Sequence, residues 1–90
     1  MTEKQPISLT QAVAERIREL LVKFNMTQYE YEKVSGINHG HLGHILYGRK
    51  GVRNKTLSFT TVALIAKGFN MTFAQFLDSP IFDYSKLDFD

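Results

Sequence analysis

One four-residue phrase occurs twice in this chain, and it dictates where two helices end and two others begin. Phe24-Asn25-Met26-Thr27 is followed by Glu30 and Tyr31, and Phe69-Asn70-Met71-Thr72 by Gln75 and Phe76. Asparagine tolerates the left-handed backbone needed just past a helix end. The threonine hydroxyl then caps the next helix, and glutamate or glutamine at its third position reaches back to the cap amide. The methionine before each cap is placed to staple onto Tyr31 or Phe76. The repeat is punctuation and not a duplicated domain; it predicts helix starts at Thr27 and Thr72.

The same chemistry divides the rest of the chain. Ser8 caps a first helix, with Gln11 as its capping-box partner. Leu9, Val13, Ile17, Leu20, Leu21 and Phe24 then recur at helical spacing, while Glu15, Arg16, Arg18 and Glu19 fall off that stripe as a solvated face. Ser35-Gly36 stops the second helix after about two turns. Ile37-Asn38 makes the turn, with Asn38 capping a third helix that runs from His39 to about Tyr47 and ends at Gly48. A basic loop over 49–55 follows. The fourth helix begins near Ser58, with Phe59, Val62, Ile65, Ala66 and Phe69 on one face. The fifth runs from about Phe73 to Leu77 and stops before Ser79-Pro80. Only the tail, 81–90, carries a weak strand-like alternation.

Ninety residues hold one domain with one modest core, read as a body over 1–79 and a short apolar and acidic tail over 80–90. No run approaches the roughly 18 apolar residues that span a bilayer, and 1–6 lacks a signal-peptide character, so a cytoplasmic protein is expected. The absence of cysteine removes disulfides and thiolate zinc sites, and fits a reducing compartment.

The net charge of +2 conceals an uneven distribution. Between Glu32 and Asp78 there is no acid, whereas Lys33, Arg49, Lys50, Arg53, Lys55, Lys67 and all three histidines lie there. A basic block flanked by acids is the charge pattern of a nucleic-acid face, although such blocks also bind acidic proteins and membranes.

Two short helices joined by a tight glycine-containing turn, the second next to a basic loop, form a helix-turn-helix arrangement. Over 16–77 the sequence resembles the Cro and phage-repressor-like (xenobiotic-response-element) family of bacterial regulators. The likeness is carried by Met26-Thr27-Gln28, Tyr31, Ser35-Gly36-Ile37, Leu42, Ile45, Gly48 and Ile65-Ala66-Lys67. With Gln28 as the first motif position, Gly36 falls at the turn glycine, and Ile37, Leu42 and Ile45 at apolar positions. The resemblance implies an all-α, compact five-helix lambda-repressor-like DNA-binding domain with a short C-terminal tail. One position departs: Glu32 stands where the family usually has alanine packed between the motif helices. A carboxylate there needs a partner or an outward path.

The resemblance also implies roles. Gln28, at the start of the second helix, is placed to bond a phosphate with help from the free amides of that helix end. Asn38, His39, Gly40, His41, Gly43 and His44 are the expected base-reading face of the third helix in the major groove. Asparagine can read adenine bidentately, and histidine can donate to guanine acceptors or to phosphate. Leu42 and Ile45 point inward. Gly40 and Gly43 each cost about 1 kcal/mol of helix propensity, and either leave room for close approach to DNA or loosen the segment. Lys33, Arg49, Lys50, Arg53 and Lys55 are the expected phosphate contacts, giving affinity and salt dependence with little sequence preference. Tyr47 either covers a sugar or packs.

No cofactor or metal is expected. His41 and His44 share a helical face, but no cysteine or nearby carboxylate completes a zinc site. An enzyme is not expected either, since there is no Ser-His-Asp ordering or phosphate loop, and the acids lie away from the histidines except Glu30 and Glu32. The expected function is sequence-specific binding of double-stranded DNA as a transcriptional regulator, a repressor by preference. The alternative is an antitoxin-like or other protein-binding module using the tail, where Ile81, Phe82, Tyr84, Leu87 and Phe89 alternate with Asp83, Asp88 and Asp90. Because one short helix reads little sequence, a homodimer is expected to form through the fifth helix and the tail, 73–90.

Overall fold

The computed structural model describes residues 7–47 and 57–88. Five helices carry the chain: α1 (Leu9–Lys23), α2 (Gln28–Ser35), α3 (His39–Tyr47), α4 (Phe59–Gly68) and α5 (Phe73–Leu77). Two 3-10 turns, Pro80–Phe82 and Tyr84–Lys86, follow α5. A two-residue strand β1 (Ile7–Ser8) then pairs in parallel with β2 (Leu87–Asp88), in the register Ile7 to Leu87.

Each helix start is the one its residues demand. Ser8, Thr27 and Thr72 form complete capping boxes with Gln11, Glu30 and Gln75, and Ser58 caps α4 through the amide of Thr61. Asn25 and Asn70 take the left-handed conformation, with φ of 50° and 58°. Met26 and Met71 pack against the core, as staples should. Gly36 ends α2 at φ 73°, a backbone region where a side chain would be strained.

The core joins all five helices through Ile17, Leu20, Tyr31, Leu42, Ile65 and Phe76, each fully buried. Tyr31 of α2 stacks on Phe69 at 4.2 Å between centroids, and its hydroxyl donates to the Ile65 carbonyl of α4 at 2.6 Å. Burial pushes the Tyr31 hydroxyl well above the ordinary tyrosine range. The same contact explains Gly68. A Cβ there would lie 2.6 Å from the Ser35 Cβ and 2.9 Å from the Tyr31 ring, so α2 and α4 meet this closely only over a glycine.

One expectation is corrected. Arg16 does not belong to a solvated face: it is only 7% exposed. Its guanidinium donates to the carbonyls of Phe76 (2.8 Å) and Gln75 (3.1 Å) at the end of α5 and pairs with Glu19. Two residues on, some 200° round the helix, exposed Arg18 donates to the Leu46 carbonyl near the end of α3. The two arginines thus fasten α1 to different neighbours.

The tail is not a free arm. Its first 3-10 turn lies against α1, and Phe76 and Leu87 are buried within their own chain. Ile81 and Phe82 are half-buried and Tyr84 is exposed; Phe89 lies outside the described residues. Of the apolar residues expected to supply a pairing surface, Phe76 and Leu87 are therefore already spent on the domain's own packing. No helix among the described residues is long and apolar enough to cross a membrane.

Candidate nucleic-acid interface

The motif is built by α2, the glycine turn and α3. On α3 the inward positions Leu42, Ile45 and Leu46 are buried, which turns His39, Gly40, His41 and His44 outward. Gly43 is half-buried. All three histidines are exposed, His41 and His44 on a common helical face and His39 turned toward Glu32 of α2, and no described group of three metal-ligating side chains surrounds them.

Asn38 lies at this face but is committed to another task. Its side-chain oxygen accepts from the amides of Gly40 (2.8 Å) and His41 (3.2 Å), capping α3. Bidentate reading of adenine would need that oxygen as an acceptor, so the cap and the base contact compete. The cap also accounts for Gly40, where a Cβ would stand 3.1 Å from the Asn38 oxygen. A Cβ at Gly43 would meet nothing within 4 Å, leaving open space beside the helix.

Glu32 has found its partners. One carboxylate oxygen lies 2.6 Å from His39 Nδ1 and accepts from Gln28 Nε2 at 3.1 Å. The glutamate side chain is 12% exposed beneath a histidine that is 81% exposed. Gln28 is held at its other end as well, its Oε1 accepting from the Tyr47 hydroxyl at 3.1 Å. Tyr47 is exposed and carries the Arg18 guanidinium at 5.5 Å from its ring centroid. A polar thread, Tyr47–Gln28–Glu32–His39, thus stitches α2 to both ends of α3. Tyr47 takes part in it through its hydroxyl, with its ring largely exposed.

Lys33 is exposed on the last turn of α2, its ammonium 4.6 Å from the Tyr29 ring centroid. Lys67 is exposed on α4. Arg49, Lys50, Arg53 and Lys55, the expected loop contacts, lie outside the described residues. Two residues of the site escaped the sequence reading. Arg18 is exposed as read, but its contacts with the Leu46 carbonyl and the Tyr47 ring were not foreseen, and Glu32 had no partner assigned although His39 stands seven positions away.

No family model matches this chain, and no curated protein does. Solved structures do. The chain is similar to prophage Lp1 protein 11, with a TM-score of 0.68 and 21% identity, covering 84% of this chain and 96% of that one. It is similar to an HTH_3 family transcriptional regulator from Vibrio cholerae, with a TM-score of 0.64 and 18% identity, over 80% of this chain and 38% of that one. It is also similar to the restriction-modification controller protein C.AhdI from Aeromonas hydrophila, with a TM-score of 0.58 and 16% identity, over 74% and 94% of the two chains. The chain therefore shares its mostly helical fold with these structures, one of them named as an HTH_3 family regulator.

Proposed function

We propose that this chain is a sequence-specific double-stranded DNA-binding protein that regulates transcription as a repressor, with α3 in the major groove, and that it is not an enzyme. The observation that carries this reading is the two-sided character of α3. Its apolar side is sunk in the core, and its outer side presents His39, Gly40, His41 and His44 to solvent. A helix so exposed, so short of bulk and free of acid is suited to enter a groove about 12 Å wide. The acid-free stretch supplies the matching charge, with Lys33, Arg49, Lys50, Arg53 and Lys55 as phosphate contacts. Gln28 joins them through its second amide hydrogen, since the first is given to Glu32. The fold neighbours named as a transcriptional regulator and as a controller protein support the same reading. Mapping amide shifts as a duplex is added tests it. The expected perturbations centre on α3 and the start of α2; a response confined to α4 and α5 would contradict it.

The homodimer belongs to the same proposal, with a revised surface. An apolar cavity of about 440 Å³ lies between α1, α4, α5 and the tail, lined by Leu9, Val13, Phe59, Phe73, Leu77 and Phe82. Phe59 at its rim is 83% exposed, an unusual position for so large an apolar ring. Pairing through this side of the molecule would leave α3 free for DNA. Sedimentation of the parent and of Phe59→Ser checks it: the parent should pair and the variant should not. A monomeric parent that holds a different protein at this cavity would favour the antitoxin-like alternative.

A further inference from the structure

We propose that Glu32 is a positioning residue that fixes the tautomer of His39, so that α3 offers DNA a hydrogen-bond acceptor at its first position. This rests on the DNA-binding reading above and adds the chemistry of one contact to it. An ionised carboxylate only accepts hydrogen bonds, so the imidazole nitrogen 2.6 Å from Glu32 must carry a proton. That nitrogen is Nδ1. When the ring is neutral its only proton is there, and Nε2 is an acceptor. The two nitrogens lie on different edges of the ring, so seating Nδ1 on Glu32 directs Nε2 away from α2. With the histidine side chain 81% exposed, that edge is open to a ligand.

The orientation is held from several sides. Gln28 Nε2 donates to the same Glu32 oxygen at 3.1 Å, and Gln28 is itself fixed by the Tyr47 hydroxyl. Below His39, the Asn38 cap holds the backbone from which the ring projects. Glu32 itself is nearly covered, which keeps its charge from facing the phosphates directly. Carboxylates that orient a working histidine in this way set its tautomer elsewhere in proteins, on metals and in catalytic sites.

The consequence is a base preference. A neutral His39 with a free Nε2 lone pair accepts from the exocyclic amino group of adenine or cytosine, the two donors exposed in the major groove. It does not complement guanine O6 and N7, which are acceptors. The histidine contact expected from residue type alone, donation to guanine, is reversed by the residue beneath it.

The test joins two measurements on the full chain. Nitrogen-15 spectra of the imidazole at about pH 8.5, well above the ordinary histidine value, report which nitrogen carries the proton. The parent should show His39 protonated at Nδ1, and Glu32→Ala should lose that preference while keeping its helical content. Selection from random duplex DNA at the same pH follows for the parent, Glu32→Ala, His39→Ala and the double variant. The parent should favour adenine or cytosine at one position. Each single variant should lose about fivefold to tenfold discrimination at that position, and the double variant no more than His39→Ala alone. A His39 proton on Nε2 in the parent overturns the proposal, as does unchanged selection in Glu32→Ala where His39→Ala is altered. A parent that selects no sequence overturns the DNA-binding reading and the base preference with it. The spectra then decide the tautomer clamp separately.

Discussion

Arg16 Nε donates to the Phe76 carbonyl at 2.8 Å across 60 positions of sequence, inside the protein. The bond, with its companion to Gln75, closes the end of α5, a helix of five residues that could not persist alone. The Gln75 carbonyl also accepts from the Asp78 amide at 3.2 Å, and the arginine fork adds donors to it and to the Phe76 carbonyl. Arg16→Ala should therefore destabilise the domain by about 1–3 kcal/mol, since it removes the donor to the buried Phe76 carbonyl. Arg16→Lys should recover little, because one ammonium cannot reproduce the fork. Urea denaturation of both variants measures this.

The close approach of α2 and α4 makes two glycines behave oppositely. Gly68→Ala drives a methyl into Ser35 and Tyr31 and should cost about 1–3 kcal/mol. Gly43→Ala places its methyl in open space within a helix and should stabilise by up to about 1 kcal/mol. Thermal melts of the two variants should move in opposite directions.

Tyr31 predicts the alkaline limb of stability. Burial raises its ionisation above the ordinary value of 10.0, so the native state holds the proton that the unfolded state releases. Its contribution is intact below the ordinary tyrosine range and is lost as pH rises through that range towards the folded value. Tyr31→Phe should be less stable near neutrality by about 1 kcal/mol, having lost the bond to Ile65. Its stability should then fall less steeply than the parent's above about pH 10. Parallel slopes for the two proteins would refute this assignment.

At the acid end the signs reverse. Bonds from the Thr27 backbone and hydroxyl hold Glu30 below the ordinary carboxylate value, and bonds from Ser85 do the same for Asp83. These contributions are present above the ordinary carboxylate range and vanish as pH falls through the folded values. Thr72 and Gln75 form the same capping box without a charge. Glu30→Gln should therefore keep the start of α2 and shed part of the acid sensitivity, as read from denaturant midpoints between about pH 5 and 3.

What could be read from the residues was what neighbouring residues decide. The caps at Ser8, Thr27, Ser58 and Thr72, the left-handed Asn25 and Asn70, and the inward Leu42 and Ile45 all follow from local chemistry and helical spacing. What escaped depends on partners distant in sequence or hidden by packing. Arg16 reads as solvent-facing by its helical phase, because its acceptors lie at the far end of α5. Gly68 carries no signal in the sequence, and only the approach of Tyr31 and Ser35 reveals why a larger residue is not accommodated there. The strand pairing of Ile7 with Leu87 joins the first described residue to nearly the last. Within the site, the Asn38 cap was legible from its type and place, while its competition with a base contact shows only in the cap's geometry. Glu32 looked misplaced until His39 and Gln28 closed on it.

The central claim, that α3 reads duplex DNA by sequence, is tested most directly by selecting bound sites from random duplexes and titrating the winner with salt. The account predicts one enriched motif. Its affinity should fall steeply with salt, by a logarithmic slope of about −0.9 for each phosphate neutralised. A scrambled duplex should bind far more weakly at the same salt. No enriched motif, together with an affinity for duplex that does not respond to salt, would contradict it.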